Sequence, residues 1–296
     1  MIGRGKNFAH DFVNGTTYHY FQFCQEFLDL PFYSALYVGH EFLVGQASAV
    51  SASTALSTLH SRSTTPDELA EQVEAGTYFI DPNVKAAYAY LCTTRHIDRR
   101  VVDSLIRSGR LYLKSIGRGY NLCFPFFEHD PTAEDFGTLT GFEIIGAMSS
   151  RRFKSIVAAR DYAYFTYLGY YNPDEPCEVV CFESVIDLLS FSSLICQGTI
   201  DLKGHNLVLV SLRGLNYRIA MKAQQEFNAQ AVHFFIDNDE PARNMLCSNG
   251  LNTTPADFLS TFPAVKDWND LLVPGTVETV KPVAFDDIAL GSDLPF

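Results

Sequence analysis

Four carboxylates cluster where two apolar runs end. The run at 178–182, EVVCF, passes directly into Glu183, and Asp187 follows one helical turn later. The run at 231–236, AVHFFI, ends in Asp237-Asn238-Asp239. Carboxylate oxygens are hard ligands, and three of them gathered at one place suit Mg²⁺ or Mn²⁺. Phosphoryl transfer needs such positive charge on its nonbridging oxygens and leaving group. Each acid alone also has an ordinary explanation. Glu183 is an acid at a helix start, favoured by the dipole. Asp237-Asn238-Asp239 is a polar turn closing a strand. Asp187 either reaches an ion through water or caps its helix. Neither explanation requires two separate strands to deliver acids to one edge.

The elements that must position these acids are legible as patterns. Both runs are short and β-branched or aromatic, and each leads into a helix-like stretch, so both read as buried parallel strands. A helix at 184–197 follows the first. A strand at 206–212 and a helix at 215–229 come next, and a short helix at 241–247 follows the second run. This alternation predicts an α/β fold, a parallel sheet flanked by helices, with ligands at the C-terminal edge of the strands. Arg213-Gly214, after the middle strand, is a turn at which backbone can approach a phosphate.

A smaller α+β domain is expected upstream. Ala86, Tyr90 and Leu91 recur at helical spacing, and Val101, Val102, Leu105 and Ile106 form a second apolar stripe. Strands are expected at 121–127, 138–145 and 163–168, closed by the turn YNPDEP at 171–176. Thr65-Pro66-Asp67-Glu68 is a helix start and Gly76 its stop. The Ala/Ser/Thr-rich stretch 47–65 reads as a linker. Tyr18 to Tyr37 reads as one or two helices broken near Pro31. The expected organisation is therefore 1–46, a linker and helix at 47–82, an α+β domain at 83–172, the parallel sheet at 173–275, and an acidic tail at 276–296.

Composition fits a folded, water-soluble chain: 47% hydrophobic and 19% charged residues over 296 positions support a sizeable core. No apolar run approaches the length of about 20 residues that crosses a bilayer. With no signal-like N-terminus, a cytoplasmic protein without membrane partners is expected. Seven scattered cysteines with no C-x-x-C pair argue against a disulfide framework and a zinc ribbon, so no zinc is expected.

The net charge of −12 opposes nucleic-acid binding at first sight, but its distribution does not. Half of the 22 basic residues fall in two segments that hold two of the 34 acids. One contains Arg95, Arg99, Arg100, Arg107, Arg110, Lys114 and Arg118. The other contains Arg151, Arg152, Lys154 and Arg160. A local basic patch can hold a phosphate backbone whatever the total charge; the plainer alternative is a solvated helix face. Arg95, Arg99, Arg100, Arg107, Arg151, Arg152, Lys154 and Lys266 are the candidate nucleic-acid contacts.

A glutamate at one strand end, and D-x-D at the end of a later strand, resemble the Toprim fold of primases, topoisomerases and some nucleases. Four stretches bring the chain nearest to one group, the primase-like Toprim proteins of plasmids and conjugative elements. They are Ala87 to Tyr112, CFESVIDLLS at 181–190, HFFIDNDEPAR at 233–243, and KDWNDLL at 266–272. Gly3-Arg4-Gly5-Lys6-Asn7 resembles the end of a primase-type N-terminal region, without its cysteines. Where that group often has Ala-Gly after D-x-D, this chain has Pro241-Ala242. The resemblance implies a Toprim domain at 173–275, with Glu183, Asp237 and Asp239 as catalytic acids and those three with Asp187 as ligands of Mg²⁺ or Mn²⁺. It also implies DNA, including single-stranded DNA, as substrate, and a relaxase or helicase as partner.

Three functions remain open at this level. One is a metal-dependent enzyme that joins nucleotides or cuts strands. The second is a non-catalytic module that binds nucleic acid, a relaxase or a helicase. The third is a nucleotide hydrolase on another doubly wound fold, although no P-loop motif is present.

Overall fold

The computed structural model describes residues 8–11, 16–19, 64–81, 85–116, 119–128, 137–147, 153–250, 259, 261–262, 265–276 and 281–289. By contacts the chain divides into two compact units, Met1–Ser63 and Thr64–Phe296. In the first, strands β1 (Phe8–Asp11) and β2 (Thr16–His19) pair antiparallel. The helices expected between Tyr18 and Tyr37 fall outside the described residues, except that Tyr18 and His19 lie in β2.

The second unit begins with helix α1 (Pro66–Glu74). Thr65 caps it through a reciprocal pair: Thr65 Oγ1 accepts from the Glu68 N–H and Glu68 Oε2 from the Thr65 N–H. Gly76, at φ 71°, lies just past its end, where only glycine adopts the left-handed backbone without strain. Helix α2 (Lys85–Ala87) runs on into a π-helical stretch, Tyr88–Thr94. Helix α3 (Arg99–Arg107) follows, capped by Asp98. Strands β3 (Tyr112–Ile116), β4 (Gly119–Phe127), β5 (Leu139–Gly146) and β6 (Lys154–Ala158) then form a four-stranded antiparallel sheet in chain order.

The next elements build the second sheet: strand β7 (Thr166–Tyr170), strand β8 (Glu178–Phe182), helix α4 (Val185–Cys196), the short strand β9 (Ile200–Asp201), strand β10 (Leu207–Ser211), helix α5 (Tyr217–Phe227), strand β11 (Ala231–Phe234) and helix α6 (Glu240–Ser248). Its strand order is β11-β8-β10-β7. β8 pairs parallel with both β11 and β10. β7 pairs antiparallel with β10, so the sheet is mixed, with an antiparallel edge. The strand expected at 163–168 therefore closes this sheet rather than joining the upstream one. Strand β12 (Val283–Ala284) pairs parallel with β9, and helix α7 (Phe285–Ala289) follows.

Alternation along β8 sets the two faces. Val180 and Phe182 enter one core with Leu188, Leu189 and Phe191 of α4, and with Val101, Val102 and Leu105 of α3. That core runs on into Leu113, Leu122, Phe124 and Phe126 of the antiparallel sheet. Val179 and Cys181 enter the other core, under Ile219, Ala220 and Ala223 of α5 and Ala242 and Leu246 of α6. Ten of the twelve residues of α4 are buried, which is why this helix reads as apolar all round rather than striped. Among the described residues, no helix is long and apolar enough to cross a membrane.

Candidate acidic site at the sheet edge

The C-terminal ends of three adjacent parallel strands converge. Glu183 directly follows β8, Asp237 follows β11 by three residues, and Arg213 follows β10 by two. Backbone bonds continue the ladder past the regular strands: the Phe235 N–H donates to the Cys181 carbonyl (2.8 Å), and the Leu212 N–H to the Phe182 carbonyl (2.8 Å). The Asn238 N–H donates to the Lys266 carbonyl (2.9 Å), which brings the segment 265–267 alongside the acids.

Lys266 holds the Asp-x-Asp pair. Its Nζ lies 3.3 Å from Asp237 Oδ2 and 3.2 Å from Asp239 Oδ2. Asp239 divides its work, because its Oδ1 accepts from the Ala242 N–H (3.0 Å) and caps α6. Pro241 takes the first-turn position, where a missing N–H costs nothing. Asp187 is buried, and its Oδ2 accepts from Ser184 Oγ (2.5 Å) while Ser184 Oγ accepts from the Asp187 N–H (3.3 Å). Ser184 is thus the N-cap of α4, and its hydroxyl donates in turn to the Asp187 carboxyl.

The negative charge here is only partly compensated. Burial, then the neighbouring Asp237 and Asp239, push Glu183 up to about 7. Burial, then Asp267, push Asp237 up to about 6 against the pull of Lys266. Burial holds Asp187 well above the usual carboxylate range, with Asp267, Asp237 and Glu183 adding to it. Glu183 Oε2 and Asp237 Oδ1 are buried and have no hydrogen-bond partner among the described residues. Buried polar atoms are rarely left so, and the two orphans mark a place for a cation or donor from outside the chain. The donor chemistry, hard carboxylate oxygen, fits Mg²⁺ or Mn²⁺. Among the described residues, however, no three His, Cys, Asp or Glu are grouped closely enough to hold an ion as they stand, and the Lys266 ammonium supplies the cation for Asp237 and Asp239.

Asp267 was not singled out in the sequence, where it entered only within KDWNDLL at 266–272. Burial raises its pKa, and it acts on both Asp187 and Asp237. Its signal was its place in KDWND, a segment without strand or helix periodicity. Trp268, one residue on, is fully buried; its Nε1–H donates to the Phe235 carbonyl (2.9 Å) and its ring stacks on Phe235 (5.3 Å, 16°). It anchors the segment by packing.

The basic candidates divide. Lys266 and Lys154 act on the acids: Lys266 pairs with Asp237 and Asp239, and Lys154 of β6 acts electrostatically on Glu183 and pairs with buried Glu143 (3.0 Å). Arg95 donates to the Tyr90 hydroxyl (3.1 Å) and its backbone carbonyl accepts from Asn269 Nδ2 (2.7 Å). Arg100 forms a two-bonded pair with Asp98 (2.9 and 2.8 Å). Exposed Arg99 lies 3.7 Å from Asp103 and over the Tyr88 ring, and Arg107 Nε donates to the Asp103 carbonyl (3.2 Å). Arg151 and Arg152 fall outside the described residues.

No protein-family model and no curated protein matches the chain. Solved structures give weak likenesses. The primase fragment of the bacteriophage T7 primase-helicase protein aligns with a TM-score of 0.41 at 15% identity, over 60% of this chain and 65% of that one. The T7 lagging-strand DNA polymerase structure with primase domains bound to an RNA/DNA hybrid and dTTP gives 0.40 at 12% identity, over 64% of this chain and 91% of that one. The Aquifex aeolicus primase, with zinc-binding and RNA polymerase domains, gives 0.35 at 15% identity, over 82% of this chain and 63% of that one.

Proposed function

We propose that the chain is a Mg²⁺- or Mn²⁺-dependent DNA-processing enzyme with a Toprim-type site, acting by primase-like nucleotidyl transfer or by strand cleavage. The carrying observation is the delivery of Glu183, Asp237 and Asp239 to one edge by the adjacent parallel strands β8 and β11, with two buried carboxylate oxygens unpartnered. Glu183, Asp237 and Asp239 would hold the ion, with Asp187 and Asp267 behind them. The ion would supply positive charge to the nonbridging oxygens of a phosphate. Glu183 presents a free Oε2 at which a proton can be taken or given. Lys266 screens the acid pair and, when an ion takes its place, is free to turn to phosphate. In this reading residues 83–172 and 173–275 are the two parts of a catalytic unit that works on DNA with a helicase or relaxase, in the cytoplasm, as a mobile-element protein.

One observation favours a second reading. Lys266 already neutralises Asp237 and Asp239, as in a module that needs no ion. Calorimetric titration of Mn²⁺ separates the two. We expect the parent to bind Mn²⁺ and a folded Asp237→Asn/Asp239→Asn variant to lose binding by about 10²-fold or more, the scale on which metal sites respond to lost groups. Equal heats from both proteins, beside oligonucleotide binding indifferent to chelator, would establish the module instead.

A further inference from the structure

The third parallel strand brings a cation to the same edge, and among the described residues its buried Nε lacks an acceptor. We infer that Arg213, with Lys154 beside it, is a seat for a phosphate group of a nucleotide or polynucleotide, set against the Glu183 end of the site. The inference rests on the proposed function in one respect only, that the phosphate held there belongs to the substrate of the acids.

The loop is built around Glu183. After β10 the chain turns through Arg213 at φ 57° and Gly214 at φ 107°. The Gly214 N–H donates to the Glu183 carbonyl (2.8 Å), which fixes the turn to the residue bearing the acid. The strand order β11-β8-β10 puts Glu183 between Asp237 on one side and Arg213 on the other. A Cβ on Gly214 would meet nothing within 4 Å, so the turn faces open space.

The guanidinium is held in place but left unsatisfied. It lies 5.6 Å over the Phe126 ring of β4, and its buried Nε has no hydrogen-bond partner among the described residues. Arg110 shows what a structural arginine looks like in this protein. It lies 5.2 Å over Phe127 and also donates to the Thr166 carbonyl (2.9 Å) and Oγ1 (2.7 Å). Arg213 has the ring contact without the acceptor. Its positive charge is offset at a distance by Glu143 and Asp161, while burial works against it. A planar guanidinium with free donors matches phosphate oxygens in geometry and charge.

Lys154 completes the seat. Its side chain is 43% exposed, and its Nζ lies 3.0 Å from Oε1 of fully buried Glu143. The other Glu143 oxygen accepts from Ser211 Oγ (3.1 Å), at the end of the strand that leads to Arg213. Glu143 therefore ties the lysine to the arginine loop across the two sheets. The positive charge of Lys154 reaches Glu183. The result is a polar edge, with acids at one end and two cations at the other, suited to a group that is both metal-binding and anionic.

The test uses the full chain in chelator, with two probes: a fluorescent nucleoside triphosphate and a labelled single-stranded oligonucleotide. Anisotropy is read for the parent, Arg213→Gln and Lys154→Gln. Glutamine makes the same backbone demand at φ 57° as arginine, so the change removes the cation and not the turn. The parent is expected to bind at least one probe, and Arg213→Gln to bind it about tenfold more weakly or worse. Lys154→Gln, on a strand surface, is expected to weaken it less and serves alone if Arg213→Gln does not fold. Loss confined to the triphosphate identifies a nucleotide seat, and loss with the oligonucleotide a backbone seat. Unchanged affinity in every folded variant, or no binding of either probe by the parent, overturns the proposal. Mn²⁺ titration of the same proteins keeps the two readings apart. Binding retained by Arg213→Gln with unchanged probe affinity sinks the seat and spares the metal site. Probe loss in Arg213→Gln without Mn²⁺ binding by the parent does the reverse.

Discussion

At the scale of single residues, the acidic edge makes a prediction about charge. Glu183 titrates near 7 in the fold against an ordinary value of 4.5, and Asp237 near 6 against 3.8. Between the ordinary and the raised values the unfolded chain has lost a proton that the folded chain keeps. Folding stability from these groups is therefore full below about pH 4 and is lost as pH rises through 6 to 7. Glu183→Gln removes that loss. In chelator it is expected to stabilise the protein at pH 8 by about 1 kcal/mol after discounting for solvent screening, and to change nothing at pH 4. Urea unfolding at the two pH values checks this, and equal effects at both would refute the electrostatic account. The sheet-edge positions of Glu183, Asp237 and Asp239 were legible because a strand that ends at a sheet edge leaves a recognisable apolar run. Asp267 was not, because it sits in an irregular segment placed by Trp268 and by the Asn238–Lys266 backbone bond, neither of which has a sequence period.

Elements explain why those residues arrive together. α4 begins immediately after Glu183 because Ser184 caps it, accepting from the Asp187 N–H while its hydroxyl donates to the Asp187 carboxyl. Ser184→Ala removes the cap and a donor to a buried carboxyl at once. It is expected to cost about 1–2 kcal/mol, at the upper end for a lost N-cap. Chemical denaturation of the two proteins measures it, and a cost near zero would mean that packing alone fixes the start of α4. The helices and parallel strands were legible, since each carries a cap or an apolar run of its own. The place of β7 was not: strand pairing is decided by which edge remains open, and β10 offers one. On α3 the sequence shows the basic stripe but not its local partners: Arg100 and Arg107 spend hydrogen bonds on Asp98 and on the Asp103 carbonyl of the same segment.

At the scale of the whole molecule, a second charged network lies at the opposite end of the parallel strands, and its His205 acts on stability in the same direction. His205 Nδ1 lies 2.6 Å from Glu178 Oε1, and its Nε2 lies 2.8 Å from Asp286 Oδ1. With a carboxyl group against each ring nitrogen, the imidazolium, which donates from both, is the favoured form. Its pKa is accordingly raised, with burial opposing and the hydrogen bonds to Glu178 and Asp286 winning. The contribution is present below the ordinary value of 6.5 and is lost as pH climbs through the raised one. Glu178, bonded also to His233 Nε2 (2.6 Å), has the opposite sign. Its pKa is lowered, so its contribution is present above 4.5 and fades only as pH falls below that. Between pH 5 and 8 the acid edge and His205 therefore both lose stability with rising pH, while Glu178 stays ionised and constant. The full chain in chelator is expected to be most stable near pH 5 and to decline toward pH 8.5. His205→Asn should flatten the decline above pH 6.5 and leave the part from Glu183 and Asp237. A profile that rises from pH 5 to 8 in the parent would show that neither network carries the charge assigned to it.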